Sequence, residues 1–160
     1  MRKIDLLLAE YGTSHKNETN KAIHWICVPL IFFSIIGLLW SIPSDYFRDF
    51  FSEPVGEFVN WGTIGLLIAL TYYISLSVPL FFGMLLFSMI LVAINFWISQ
   101  NAEMPLWVIC LVIFVIAWIG QFWGHKIEGK KPSFFKDLQF LLIGPAWLMH
   151  FIFNKLGIKY

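Results

Sequence analysis

A chain of 160 residues in which 59% are hydrophobic and only 13% charged carries about half the charge of an ordinary soluble domain. Its net charge of +1 gives no basic surface, so no nucleic-acid partner is expected. A mean hydropathy of +0.74 leaves more apolar surface than a core of this size can hide, so lipid must cover the rest. The composition predicts an all-α integral membrane protein, read as one membrane domain over residues 1–160. Helices are expected because backbone groups in hydrocarbon must be bonded within the segment.

In chain order, the opening MRKIDLLLAEYG has an apolar run too short for a secretory signal and broken by Asp5 and Glu10. The first long apolar segment is therefore expected to stay as an uncleaved anchor. Ile4, Leu7, Leu8 and Tyr11 recur at helical spacing, which predicts a short interfacial helix over residues 3–11. A bilayer core of about 30 Å needs about 20 helical residues. Ala22–Ser44 offers 23 residues without Asp, Glu, Lys or Arg, Phe58–Ala102 offers 45, and Met104–His125 offers 22. Forty-five helical residues reach about 68 Å, enough to cross twice. The break is expected near Ser75–Pro79, where Pro79 ends one helix and opens the next. The predicted spans are thus 22–42, 60–78, 79–99 and 104–124. The run 138–154 has 17 uncharged residues around Gly144-Pro145. It is read as a re-entrant or interfacial segment, with a short fifth span as the alternative.

Trp25 and Trp40 fall at the two ends of the first span, Trp61 opens the second, and Trp97 closes the third. Trp107 and Trp123 bracket the fourth, as an interfacial aromatic belt requires. With four spans, Arg2, Lys3, Lys16, Lys21, Lys126, Lys130, Lys131 and Lys136 share the N-terminal side, against Arg48 alone on the other. The N-terminus is then cytoplasmic by the positive-inside rule. The membrane is the inner membrane if the source is bacterial and the endoplasmic reticulum if it is eukaryotic. Cys27 and Cys110 lie in apolar runs without a CxxC pair and are read as thiols packed as small hydrophobes.

Three of four histidines gather by this topology. His15 lies just before the first span, His24 in its first turns, and His125 at the far end of the fourth. An even number of crossings returns His125 to the face of His24. Polar residues surround them: Asn17, Asn20, Gln121 and Glu128. Asn20 and His24 are four apart and share a helix face, as do Gln121, His125 and Glu128 if that helix continues. Gly124 permits a close approach. His15 and His24 can meet only if a helix begins between them, with Thr19 or Asn20 as N-cap. Neutral imidazoles are ligands for iron, zinc or copper, and three of them leave positions open on Fe(II). Ionisable groups at membrane depth usually mark function. The competing readings are interfacial capping and hydrogen bonding by the same residues, and a proton- or ligand-binding role. His150, alone in an apolar run, is read as structural, bonded to a backbone carbonyl. The lysines after His125 are read as a rim facing lipid headgroups, able to attract a carboxylate.

The motifs His15-x-Asn17-x-x-Asn20-x-x-Ile23-His24 with Val28-Pro29, and Gln121-Phe-x-Gly-His125 with Glu128 and Pro132, resemble those of the 2-hydroxy fatty acid dioxygenases. These membrane enzymes convert phytosphingosine-derived acids to odd-numbered fatty acids. The resemblance runs from about Tyr11 to Gly157. It implies an Fe(II) enzyme of fatty-acid α-oxidation that uses O2 to shorten a long-chain 2-hydroxy acid by one carbon. It also implies His15, His24 and His125 as iron ligands. Asn17, Asn20, Gln121 and Glu128 would orient those ligands, with Glu128 a candidate fourth ligand. In the fungal pattern one more residue separates the histidine from the glutamate. Two other classes remain: a haem-binding electron carrier with His24 and His125 as axial ligands, and a non-enzymatic protein whose polar cluster holds helices together. Neither chain length of the acid nor oligomeric state is fixed by the sequence.

Overall fold

The computed structural model describes residues 2–129 and 140–160, all helical or irregular, with no strand among them. Helix α1 spans Lys3–Gly12 and α2 Glu18–Trp40; a short α3, Asp45–Arg48, follows. Then come α4 (Trp61–Leu76), α5 (Val78–Asn101), α6 (Leu106–Ile127) and α7 (Ile143–Leu156). Among the described residues α2, α5 and α6 are long and apolar enough to cross a membrane. The 16 residues of α4 reach about 24 Å.

Helices α2, α4, α5 and α6 begin and end within a few residues of the four segments 22–42, 60–78, 79–99 and 104–124, and the deviations have local causes. The first helix starts early because Asn17, not Thr19 or Asn20, is its N-cap. The Asn17 Oδ1 accepts from the backbone N–H of Thr19 at 2.9 Å and of Asn20 at 3.2 Å. That cap satisfies two of the four amides a helix start leaves bare. The break between α4 and α5 falls at Ser77, whose extended backbone ends one helix while its hydroxyl caps the next. Pro79 sits in the first turn of α5, where its missing N–H costs nothing.

Helix α2 is central. Half of its most apolar stretch is buried inside the protein, against 17% for α6. It runs antiparallel to α6. Asn20 stands opposite Gly124, Cys27 opposite Gly120, and Gly37 opposite Cys110. A methyl group at Gly120 would come within 2.7 Å of the Cys27 sulfur. The glycine pair, four residues apart, is what lets the two backbones approach. Helices α4 and α5 form an antiparallel hairpin beside α2. At the far end Trp40, Phe58 and Phe96 gather, with ring centroids 4.9 to 6.5 Å apart. Deep in the bundle, Asn95 donates to the Leu91 carbonyl at 2.9 Å and the Phe33 carbonyl at 3.4 Å. Its own carbonyl receives the Cys110 thiol at 3.7 Å, joining α2, α5 and α6.

The expected N-terminal helix is present, but its apolar face is covered by protein. Ile4, Leu8 and Tyr11 are buried against Ile143, Ala146 and Trp147 of α7. The two helices run antiparallel, since Tyr11 meets Trp147 while Arg2 donates to the Tyr160 carbonyl. Helix α7 also closes on α4 and α5. The Tyr73 hydroxyl donates to the Leu142 carbonyl at 2.7 Å, and Gly83 makes room for Met149 and Phe153. The 14 residues of α7 reach about 21 Å, less than a bilayer core.

A side chain at Gly37 would overlap the Cys110 sulfur and the Asn95 carbonyl oxygen, whereas one at Gly12 would meet its nearest neighbour at 3.7 Å. Gly37→Ala is expected to destabilise by about 1–3 kcal/mol, the usual cost of overpacking. Gly12→Ala is expected to be neutral or slightly stabilising. Thermal unfolding in detergent distinguishes the two.

Candidate metal centre

The site is built at the end of the bundle where α2 begins and α6 ends. His15 lies in the turn between α1 and α2, and its Nδ1 is 2.7 Å from the Tyr11 carbonyl oxygen. His24 repeats the device one element later, with Nδ1 2.9 Å from the Asn20 carbonyl oxygen. A carbonyl can only accept, so each Nδ1 carries the hydrogen. In the neutral ring the lone pair then lies on Nε2. His125 enters from the last turn of α6.

The three rings meet. Their centroids are 4.2 Å apart for His15 and His24, 5.3 Å for His15 and His125, and 5.0 Å for His24 and His125. One ligand-capable nitrogen from each lies within 4.8 Å of the others. All three are buried; His24 is wholly inaccessible. Two nitrogens bonded to one ion at about 2.1 Å stand at most about 4.2 Å apart, so small ring rotations close the gap. The His24 Nε2 is buried without a hydrogen-bond partner. An isolated buried acceptor costs about 1–3 kcal/mol, a cost a bound cation relieves. The donor set therefore fits a metal that accepts imidazole nitrogen.

Asn20 holds this arrangement from behind. Its side-chain amide donates to the Ser14 carbonyl at 3.2 Å and to Glu128 at 3.0 Å. Its side chain fits only because Gly124 has none there. Glu128, just past the end of α6, bonds to the start of α2. Its carboxylate accepts from the backbone N–H groups of Lys16 and Asn17, both at 2.9 Å. Partial burial alone would raise its pKa. The hydrogen bonds from Asn17, Lys16 and Asn20 outweigh that and hold it below the usual carboxylate range. Glu128 thus ties the end of α6 to the cap of α2, and both its oxygens are engaged. Gln121 is buried and lines a cavity beside His125.

His150 stands apart. Its ring is bonded to the Tyr160 hydroxyl and to the Asn154 amide, so its partners are side chains and not a backbone carbonyl. Lys126 is exposed, while Lys130, Lys131, Pro132 and Lys136 lie outside the described residues. Two aromatic neighbours escaped sequence reasoning. Tyr11 stacks on His15 at 4.2 Å with the planes 12° apart, and Trp147 lies 5.3 Å from the same ring. The four-residue spacing of Tyr11 and His15, the same as that of Asn20 and His24, could have signalled the first. Nothing in the sequence marks Trp147.

Apolar helices of spanning length and three buried imidazoles gathered at one end define a membrane-type, all-helical protein with a metal-competent pocket. The chain belongs to the 2-hydroxy-palmitic acid dioxygenase Mpo1-like family, whose pattern matches residues 1–156. The 2-hydroxy-palmitic acid dioxygenase MPO1 of Saccharomyces cerevisiae is 27% identical over 154 residues, 94% of this chain and 79% of the yeast protein. No solved structure matches the chain.

Replacing Glu128 with Gln keeps the shape but removes the charge and points an amide at donors. The carboxylate is only partly buried, so water softens the loss. The metal-free protein is expected to lose about 1 kcal/mol, read as a lowered unfolding midpoint, and unchanged stability would show the tie to be idle.

Proposed function

We propose that the protein is an Fe(II)-dependent dioxygenase that shortens long-chain 2-hydroxy fatty acids by one carbon. The observation that carries this reading is the buried cluster of His15, His24 and His125, two of its rings locked in one tautomer, in a chain of this family. A three-imidazole set leaves positions open, which suits a reaction that must bring O2 and an organic substrate together. With the carboxyl carbon leaving as CO2, RCH(OH)COOH + O2 → RCOOH + CO2 + H2O balances without an outside reductant.

His15, His24 and His125 would hold the iron. Bound there, Fe(II) would supply the redox chemistry with O2 and a chelation point for the hydroxyl and carboxylate of the acid. Asn20 fixes the His24 ring through its carbonyl. Asn17 and Glu128 fix the turn that carries His15. Gln121, buried beside His125, is placed to donate a hydrogen bond to a carboxylate or hydroxyl oxygen in the cavity. Tyr11 and Trp147 cover the His15 ring and keep water from that side.

The reading extends to the membrane. We infer that α2, α4, α5 and α6 all cross, α4 near the short limit, which puts the histidines at one headgroup level. Helices α1 and α7 then lie on that same side, α7 as an interfacial segment. The excess of lysine there makes it the cytoplasmic side. A long-chain acid dissolved in the bilayer would meet the site with its polar end at the right depth.

Haem is the less favoured occupant. The His15 ring packs 4.2 Å from His24, where a macrocycle between His24 and His125 would have to pass. Purified protein is expected to lack an intense Soret band.

The direct test is to supply the purified protein with Fe(II), O2 and 2-hydroxypalmitate. Formation of the acid one carbon shorter is expected. His125→Ala should lower turnover by more than the roughly 10–100-fold that loss of an outer partner costs, while His150→Ala leaves it unchanged. No product from the iron-loaded protein, or full turnover in His125→Ala, would contradict the assignment.

A further inference from the structure

Below the histidines, α2 and α6 carry two matched ladders. His24 faces His125. Four residues further along α2 and four back along α6 come Val28 and Gln121, and seven along and seven back come Ile31 and Trp118. Because the helices are antiparallel, each rung stands at one depth. Residues four and seven apart share a helix face. The last rung lies about 10 Å below the histidines, at 1.5 Å per residue. Polarity falls along the same path, from imidazole to amide to purely apolar wall with an indole. His125, Gln121, Val28, Ile31 and Trp118 line one cavity, closed on its third side by Tyr11, Gly144 and the half-buried Phe140 and Leu141.

That cavity has a volume of about 30 Å³, close to one water's share of the liquid. An alkyl chain needs more room than that, which the half-buried Phe140 and Leu141 side chains lining the cavity would have to yield. Gly144 keeps this side thin, since a methyl group there would come within 3.2 Å of both Val28 and the Tyr11 hydroxyl.

We propose that the alkyl chain of the 2-hydroxy acid lies along this α2–α6 groove, its oxygens at the histidines and its methylene chain passing between Ile31 and Trp118. These two residues then determine chain-length preference. The proposal rests on the substrate class assigned above. It goes further in saying which of the apolar surfaces receives the chain. A second apolar groove among the described residues, beside Met89 and Trp97 on α5, is left to lipid.

Two measurements test it. In the first, wild-type protein is photolabelled with a 2-hydroxypalmitate carrying a diazirine near its methyl end, and the labelled peptides are identified. Labels within the Ile31 and Trp118 segments, competed away by unlabelled 2-hydroxypalmitate, are expected. Competable labels around Met89 and Trp97 instead would overturn the groove. This readout needs no turnover. In the second, 2-hydroxyoctanoate and 2-hydroxypalmitate are compared as substrates of Ile31→Trp and Ile31→Ala. Blocking the groove with Trp should cut the kcat/KM ratio of long to short acid by about tenfold or more, with iron content unchanged. Ile31→Ala, which widens the groove, should move the ratio the other way, toward the long acid, with iron content unchanged. An unchanged ratio in both variants, with iron retained, would overturn the proposal while leaving the dioxygenase reading intact. A wild-type protein that turns over neither acid would overturn that reading, and the labelling pattern would still decide the groove.

Discussion

Gly120 and Gly124 allow α6 to lie against α2 at a distance that no larger residue at those positions would permit. The rest of the site follows from this contact. With α6 that close, Asn20 fits beside Gly124, Glu128 reaches the start of α2, and His125 meets both His15 and His24. A hydrophobic drive between helices is weak in lipid, so packing of small residues has to supply the association. Here the same pair of small residues also sets the register of the two ladders. Structure and site are therefore not separable at α2 and α6.

The histidines are oriented by main chain and not by carboxylates. Two imidazoles use the carbonyl four residues back as their hydrogen-bond acceptor. That fixes the tautomer through a neutral acceptor and not through a carboxylate. Among the described residues, the Glu128 carboxylate is spent on backbone amides at a helix start, where the helix dipole favours an anion. The pocket thus keeps the character of neutral imidazole, with apolar walls beneath it and the α1–α7 pair above. Such a pocket suits a substrate that is amphipathic along its own length.

Much of this was legible in the sequence because the bilayer imposes simple rules. Uncharged runs of spanning length, tryptophans at their ends and an expected even number of crossings put His15, His24 and His125 on one face, and the structure brings the three rings together. The break at Ser77 followed from Pro79. What escaped has a common origin in long-range or competing local bonding. Thr19 and Asn20 were plausible caps, but Asn17 reaches both their amides and so begins the helix earlier. Glu128 shares a helix face with His125, and its bonds to three donors across the helix junction leave no trace in the sequence. Helix α1 reads as amphipathic and therefore interfacial, and only tertiary packing reveals that α7 covers its apolar face. Trp147 lies more than a hundred residues from His15 and leaves no periodic trace. Asn95, buried deep in α5, was hidden in an apolar run because a single amide barely alters its hydropathy.

The central claim is that three histidines from two distant stretches of chain form one metal centre. X-ray absorption at the iron edge of Fe(II)-loaded protein tests it most directly, read beside iron content per chain. The account predicts one iron per chain with imidazole scattering from three rings, reduced by one ring in His24→Ala if that variant still binds. Iron with one imidazole or none, or a spectrum and stoichiometry unaltered by the loss of His24, would contradict it.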